Sequence, residues 1–276
     1  MKRVISFHLI FFGIFFVNIL CFGSLKIHFI DVGEGDCILL QIEDNKNILI
    51  DSGNLSAGYI VKNYLQIKKI LRLDCVIITH MHADHVGGIF SILPQIRAGS
   101  IYYNGYHPKN NHFFSELVNL THNLNIPLKT LKAGDKIEIE NAKIEVLSPW
   151  ESLTGDLNTD SIVIKVNFGK ISFLLPGDLN IPGEKRLIDA GINLKSDVLK
   201  VGHHGADDSS SEEFIDKVRP KIAVLSVGKN NRYGYPSEEV IERLKEKGIP
   251  IYRTDIDGNI IIQTDGNILS IKKENK

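Results

Sequence analysis

Apolar positions come in short blocks through most of this chain, and their spacing changes from strand-like to helical and back. "LKIHFID", "DCILLQI" and "NILID" are brief apolar runs parted by Gly33-Glu34-Gly35 and Asp44-Asn45, the pattern of short strands joined by turns. "SAGYIVKNYLQIKKIL" sets Tyr59, Ile60, Tyr64, Ile67 and Leu71 at helical spacing behind Ser56 as N-cap. "DCVIIT" is continuously apolar, as a buried strand is, and leads into "THMHADHVGG". Further on, "FFSELVNLTHNL" predicts a helix and "KIEIENAKIEVLSP" a half-exposed antiparallel hairpin. "SIVIKVNF" and "ISFLLPGD" form a second strand pair turning at Gly169-Lys170. Strands and helices then alternate through "DVLKVG", "SEEFIDKV", "KIAVLSVG", "SEEVIERLKEKG" and "IPIYRTD", and the hairpin "GNIIIQTDGNILSIK" closes the chain. Strand-rich halves with helices spaced through both predict an α/β fold of two sheets face to face with helices outside, a four-layer αββα sandwich. No linker or repeat follows Ser24, so residues 24–276 read as one domain.

The start of the chain differs in kind. Lys2 and Arg3 precede an almost continuous apolar run to Phe22, followed by the small residues Gly23 and Ser24. Residues 1–23 therefore read as a secretory signal cleaved after Gly23. The alternative is a retained N-terminal membrane anchor, since the run approaches the ~20 residues of a span, although His8 and Asn18 interrupt it. Leu20 is too large to precede a lipidated Cys21. Either reading places the domain outside the cytoplasm, secreted or held at the membrane.

Composition adds exclusions. With 276 residues, 43% hydrophobic and 24% charged, the chain is ordinary globular material. Its formal charge of −1 becomes −3 once Lys2 and Arg3 leave with the signal. Tight non-specific binding of DNA rests on several Lys or Arg contacts to phosphate, and no such overall field exists here. The three cysteines, Cys21, Cys37 and Cys75, cannot build a zinc ribbon or a disulfide framework. Cys37 and Cys75 read as small buried hydrophobes, with a Cys37–Cys75 disulfide the lesser alternative.

Three of the ten histidines, with an aspartate, fall within positions 80–85. His80 and His82 alternate on an extended segment and can point to one side, while Asp84 and His85 begin the next helix and Gly87 and Gly88 allow close packing behind. Imidazole and carboxylate at this spacing point to metal, and four such groups on one loop suit two ions better than one. A further carboxylate is then needed as a bridge. Asp178 ends the apolar run "SFLLPGD", although alone it would serve equally as a turn residue. Asp51 in "NILIDSG" reads as an aspartate that orients the ligand loop. His203 and His204 follow "DVLKV" at an exposed, mobile place before Gly205. They are expected to divide into one metal ligand and one acid near a leaving group; the sequence leaves open which is which, with His204 preferred as the ligand. "DVGEGD" could bring backbone amides to an anion, but reads better as a tight hairpin turn. His28, His107, His112 and His122 have no ligand spacing and read as ordinary residues.

"THMHADHVGG" resembles the signature of the metallo-β-lactamase superfamily, with Asp51 at the family's early acidic turn and Asp178 at its bridging carboxylate. More narrowly, "HFIDVGEGDCILL", "VLKVGHHGADDSS", "VGKNNRYGYPSEEV" and "YRTDIDGNI" resemble the extracytoplasmic hydrolase domain of ComEC-type competence proteins, which is joined to a membrane channel for DNA uptake. The resemblance implies a metal-dependent hydrolase with two divalent ions, zinc first and manganese second, held by His80, His82, Asp84, His85, Asp178 and His204. Asp84, His203 and His204 would take part in catalysis. The implied substrate is a phosphodiester, DNA among the candidates, and the implied partner is a membrane DNA-uptake channel, with no tight DNA binding by the domain alone. Asn158 and Ser161 resemble the family's Asn-x-x-Ser. Two departures stand out: no histidine precedes the bridging aspartate at "NTDSIVI", and Gly234-Tyr235-Pro236 stands where Gly-His-Pro is usual. One metal position is therefore expected to be short of ligands and weak. The alternatives are a lactamase or lactonase using the same metals on an acyl substrate, and a non-catalytic module kept for DNA uptake.

Overall fold

The computed structural model describes residues 23–43, 46–107, 109 and 111–274; all of the expected signal or anchor but Gly23, and the expected turn at Asp44-Asn45, lie outside the described residues. In chain order the first half runs β1 (Leu25–Phe29), β2 (Ile38–Ile42), β3 (Lys46–Ile50), α1 (Ala57–Ile67), β4 (Arg72–Leu73), β5 (Cys75–Ile77), α2 (Ala83–Val86), α3 (Ile89–Ile92), β6 (Arg97–Ala98), β7 (Ile101–Tyr103), α4 (His112–Asn123) and β8 (Leu128–Thr130). The second half runs β9 (Lys136–Ile139), β10 (Ala142–Ser148), β11 (Val163–Phe168), β12 (Ile171–Leu175), α5 (Ile181–Asp189), β13 (Val198–Lys200), α6 (Glu212–Val218) and β14 (Ile222–Leu225). It closes with α7 (Glu238–Glu246), β15 (Ile251–Arg253), α8 (Thr254–Asp257), β16 (Asn259–Thr264) and β17 (Leu269–Glu274).

The strands form an eight-stranded sheet, β17-β16-β1-β2-β3-β5-β7-β8, and a seven-stranded sheet, β15-β14-β13-β12-β11-β10-β9, with β4 and β6 as a small separate pair. Alternate residues of both sheets, among them Ile27, Phe29, Ile48, Ile164 and Phe173, meet in one core between them. Residues of the opposite phase, such as Leu39, Leu49 and Val76, pack outward under Val61 and Leu65 of α1, Ile89 and Ile92 of α3, and Leu117 of α4. The second sheet is covered by Leu187 of α5 with Phe214 and Val218 of α6, and by Val240 and Leu244 of α7. Period-two alternation that is apolar on both faces is what a sheet covered on both sides requires. The four-layer αββα sandwich follows.

Several local expectations need correction. In α1 the buried face is Ala57, Gly58, Val61, Tyr64 and Leu65, whereas Tyr59, Ile60 and Ile67 are exposed, as is Leu71 beyond the helix end. The reason is packing by small residues. A Cβ at Gly58 would lie 2.7 Å from the Gly88 carbonyl, so the helix seats on a face that a count of apolar residues overlooks. Ser56 makes no capping bond; the Asn54 side chain accepts from the Ala57 amide instead, at 3.0 Å. Cys37 and Cys75 are both buried and free. Cys75 faces the core between the sheets and Cys37 the layer under the helices, so the sheet itself separates them. Among the described residues, no helix is long and apolar enough to cross a membrane.

His28, expected to be ordinary, is buried on β1 with Nδ1 2.7 Å from the Tyr64 hydroxyl. Burial first, then the Lys68 charge, push its imidazole down to about 4. A base whose pKa is lower in the folded than in the unfolded chain contributes its full stability above the unfolded value, ~6.5, and loses it as pH falls toward the folded one. We expect this ring to account for a loss of about 3 kcal/mol between pH 7 and 4. Urea unfolding of His28→Gln at both pH values should show a correspondingly shallower acid loss; an identical slope would contradict this account.

Candidate metal centre

β1, β3, β5, β12 and β13 all run toward one edge of the sandwich, where they deliver Asp31–Asp36, Asp51, Thr79–His85, Asp178 and Gly202–Gly205. Asp51, in left-handed backbone at φ 56°, organises the ligand loop. Its carboxylate accepts from the Thr79 amide at 2.8 Å and hydroxyl at 2.7 Å, and lies 2.8 Å from His85 Nδ1. That bond aims His85 Nε2 at Asp178 Oδ2, 3.0 Å away. His80 lies with Nδ1 near the Thr79 and Ser161 hydroxyls at 3.1 and 3.4 Å. Its Nε2 is 2.8 Å from His82 Nδ1 and 3.8 Å from Asp178 Oδ2. His204 donates Nδ1–H to the Ser226 carbonyl at 3.0 Å, so Nε2 faces Asp178 Oδ2 at 3.3 Å and Asp84 Oδ2 at 3.4 Å.

These contacts test whether the residues fit a cation. With Nδ1 of His85 and His204 donating, Nε2 of each neutral ring carries a lone pair. Lone pairs aimed at a carboxylate oxygen in a buried site repel it unless positive charge lies between. His204 Nε2 and Asp178 Oδ1 are moreover buried without a hydrogen-bond partner. Among the described residues the ligand-type atoms fall into three groups, each within 4.8 Å: Asp84, His85, Asp178 and His204; His80, His82 and Asp178; and Asp36, Asp51 and His85, whose carboxylates already face Lys200 and Thr79. The residues thus fit two divalent ions sharing Asp178. The second group has three members against four, in keeping with the expected ligand-poor position.

Charge is polarised accordingly. Burial opposes ionisation of Asp178, but His204 and His85 together hold it well below the usual carboxylate range. Burial likewise disfavours a charged His85, yet Asp178, Asp51 and Asp84 raise it well above the ordinary imidazole value; Asp178 chiefly does the same for His204. His80 and His82 are pushed down, by burial and then by His85. A dication would take the place of the protons on His85 and His204, so its affinity falls with acid.

The His203–His204 segment is less exposed than expected, His203 being half-buried and His204 buried. It is a short 3-10 turn with both residues in left-handed backbone. Ser209 donates to the carbonyls of Gly202 and Ala206, at 2.8 and 3.0 Å, and the Ser210 hydroxyl accepts from the Gly202 amide at 3.0 Å. Two serines downstream therefore pin the turn. His203 stands at the mouth with Nδ1 2.8 Å from Asp208 Oδ1, and with Nε2 3.5 Å from Asn158 Nδ2 and 4.0 Å from Asp178 Oδ2. Tyr235 sits at the cavity wall, its ring edge-on to His203 with centroids 5.6 Å apart.

Asp36 and Lys200 escaped the sequence reading. "DVGEGD" does join β1 to β2 as a hairpin loop, but its glycine also serves the site. A Cβ at Gly35 would lie 2.0 Å from the Asp84 carbonyl, to which the Asp36 amide donates at 3.2 Å. Asp36 is buried in an ion pair with Lys200, itself wholly buried at the end of β13. Lys200 Nζ donates to the Gly177 carbonyl at 2.9 Å and lies 3.7 Å from Asp178 Oδ1. A lysine inside the apolar run "DVLKVG" was the available signal. Removing one member of a buried pair leaves the other charge uncompensated, at a cost of about 3–5 kcal/mol. Lys200→Met should lower urea-unfolding stability by that amount, and adding Asp36→Asn should restore much of it; equal loss in both variants would contradict the pairing.

A buried cluster of histidines and carboxylates around Asp178, at the strand ends of an αββα sandwich, is that of a metal-dependent hydrolase. The chain belongs to the metallo-beta-lactamase superfamily, whose family model matches residues 30–229. It is similar to ComE operon protein 3 of Bacillus subtilis (strain 168), at 32% identity over 257 residues, covering 85% of this chain and 32% of that protein. It is also similar to competence protein ComA of Neisseria gonorrhoeae, at 32% identity over 230 residues, covering 83% of this chain and 30% of that one. These relatives are ComEC-type competence proteins, and the chain spans about a third of their length. Among solved structures, the metallo-beta-lactamase fold protein YhfI from Bacillus subtilis superposes with a TM-score of 0.60 at 12% identity, covering 88% of this chain and 100% of that one. That likeness is one of fold.

Proposed function

We propose that the chain is a phosphodiesterase working outside the cytoplasm, on DNA in the course of its uptake or on another extracellular phosphodiester. His80, His82, Asp84, His85, Asp178 and His204 would hold two divalent ions, zinc or manganese. Bound there, the ions would lower the pKa of water toward ~7 and neutralise charge on the substrate's oxygens.

The observation that carries the reading is His203. A phosphodiester's leaving alkoxide needs a proton, and His203 Nε2 faces the cavity beside Asp178 while Nδ1 lies 2.8 Å from Asp208 Oδ1, which orients the ring. The cavity, of about 370 Å³, is lined by Asp84, Asp178, His203 and His204 together with Glu34 and Arg232. Its three carboxylates would repel an anionic ester unless cations were bound, and Arg232, His203 and His204 are groups that could meet its charge. Relatives carrying competence names support the link to DNA uptake. The formal charge of −3 without Lys2 and Arg3 argues that the domain binds DNA weakly by itself, with a membrane channel as its partner.

The test compares a dinucleoside phosphodiester, a β-lactam and a lactone as substrates of the purified, metal-loaded chain. Metal-dependent cleavage of the phosphodiester alone is expected. Faster opening of the lactam or lactone would select the acyl-hydrolase alternative, and inertness toward all three the non-catalytic one.

A further inference from the structure

One wall of the cavity is aromatic. Tyr233 and Tyr235 stack with centroids 5.4 Å apart and planes within 18°. Since Tyr235 is also edge-on to His203, the column runs from that ring outward to solvent. Tyr233, at its outer end, is 55% exposed, and the Arg232 guanidinium sits 4.8 Å from its ring centre.

The loop that carries these rings is fixed. Asn231 Oδ1 accepts from the amides of Tyr233 and Tyr235 at 3.2 and 2.9 Å. Its Nδ2 donates to the carbonyls of Tyr235 and Gly228 at 2.6 and 3.0 Å. Four bonds from one side chain hold the backbone that carries the rings before a ligand arrives, which lowers the ordering cost that a floppy loop would add to binding. A large flat face held rigidly in water beside the charged centre calls for a flat partner.

Every nucleobase has such a face, and stacking on exposed aromatic rings is how proteins hold single strands without reading sequence. A base within a duplex has its faces occupied by neighbours; an unpaired base does not. A phosphodiester seated at the charged centre carries its own base one sugar away, and both tyrosines line the same cavity as Asp84 and Asp178. A parallel pair of rings continues as a column when a third flat ring joins it, and the Arg232 guanidinium, which donates to the Tyr233 hydroxyl at 2.6 Å, lies beside that column.

We propose that Tyr233, backed by Tyr235 and fixed by Asn231, is a stacking platform for the unpaired base beside the scissile bond, so that single strands and frayed ends are preferred to duplex. The proposal rests on the phosphodiesterase reading. Its test uses the full chain, loaded with metal, and a short single-stranded oligothymidylate labelled at its far end, beside the same strand made abasic. Tyr233→Ala should raise KM for the intact strand about ten-fold, within the range of one base–aromatic stack, acting on KM rather than kcat. Tyr233→Phe should keep the wild-type KM, and on the abasic strand all three proteins should agree. The platform is overturned if the wild type treats both strands alike, if Tyr233→Ala impairs both equally, or if a polyol-phosphate polymer shows the same dependence on Tyr233. If neither strand is cleaved, fluorescence anisotropy of the same probes decides separately. Binding that depends on both Tyr233 and the base upholds the platform and discards the phosphodiesterase reading; binding that depends on neither discards the platform.

Discussion

Asp178→Asn is expected to strip both ions and nearly all hydrolysis from the protein, whereas Asp84→Ala should empty only one of the two positions. Asp178 Oδ2 lies within 4.0 Å of Nε2 of His80, His85, His203 and His204, and Asp178 is the member common to the two ligand groups assigned to the ions. Asp84 belongs to the four-member group alone. Metal ions stabilise the charge of a hydrolytic transition state by several kcal/mol, so losing them costs on the order of 10³-fold or more in rate. The fold should survive, since the core between the sheets is built from Ile27, Phe29, Ile164, Phe173 and their neighbours. Metal analysis, with circular dichroism to confirm the strand content, checks both variants. Full metal content in Asp178→Asn would contradict the bridging assignment.

The second large effect separates the paired histidines. His203→Ala should slow cleavage of an unactivated phosphodiester roughly 10²–10⁴-fold, the range of general acid catalysis, while metal content stays near that of the wild type. His204→Ala should instead lose metal, because its Nε2 faces both Asp84 and Asp178. With a p-nitrophenyl leaving group, which needs little protonation, the defect of His203→Ala should shrink and that of His204→Ala should not. Equal metal loss in both variants, or a harmless His203→Ala on the unactivated ester, would refute this division.

What could be read in the sequence was whatever lies close together along the chain. "THMHADH" packs four ligand-type groups into consecutive turns of one loop, and apolar runs of strand length bracket it, so site and sandwich were both visible. Asp178 could be read because it ends such a run. Asp36 and Lys200 could not be paired, because the ion pair joins the β1–β2 loop to the far end of β13 and only the folded sheets bring the two together. The buried face of α1 was misjudged because Gly58, with no side chain, is what lets the helix approach α3. His203 and His204 looked exposed because Gly205 follows them directly. The serines at 209 and 210 that hold the turn look like ordinary surface residues until their bonds to Gly202 are drawn.

The central claim is that this chain is a hydrolase with two ions bridged by Asp178. The measurement that tests it most directly is mass-spectrometric metal counting on the purified chain during stepwise chelation, with phosphodiester turnover followed in parallel. Two ions per chain are predicted, the three-ligand position of His80, His82 and Asp178 emptying first, and turnover ending once the ions are gone. Undiminished turnover from a chain holding no metal would contradict the account.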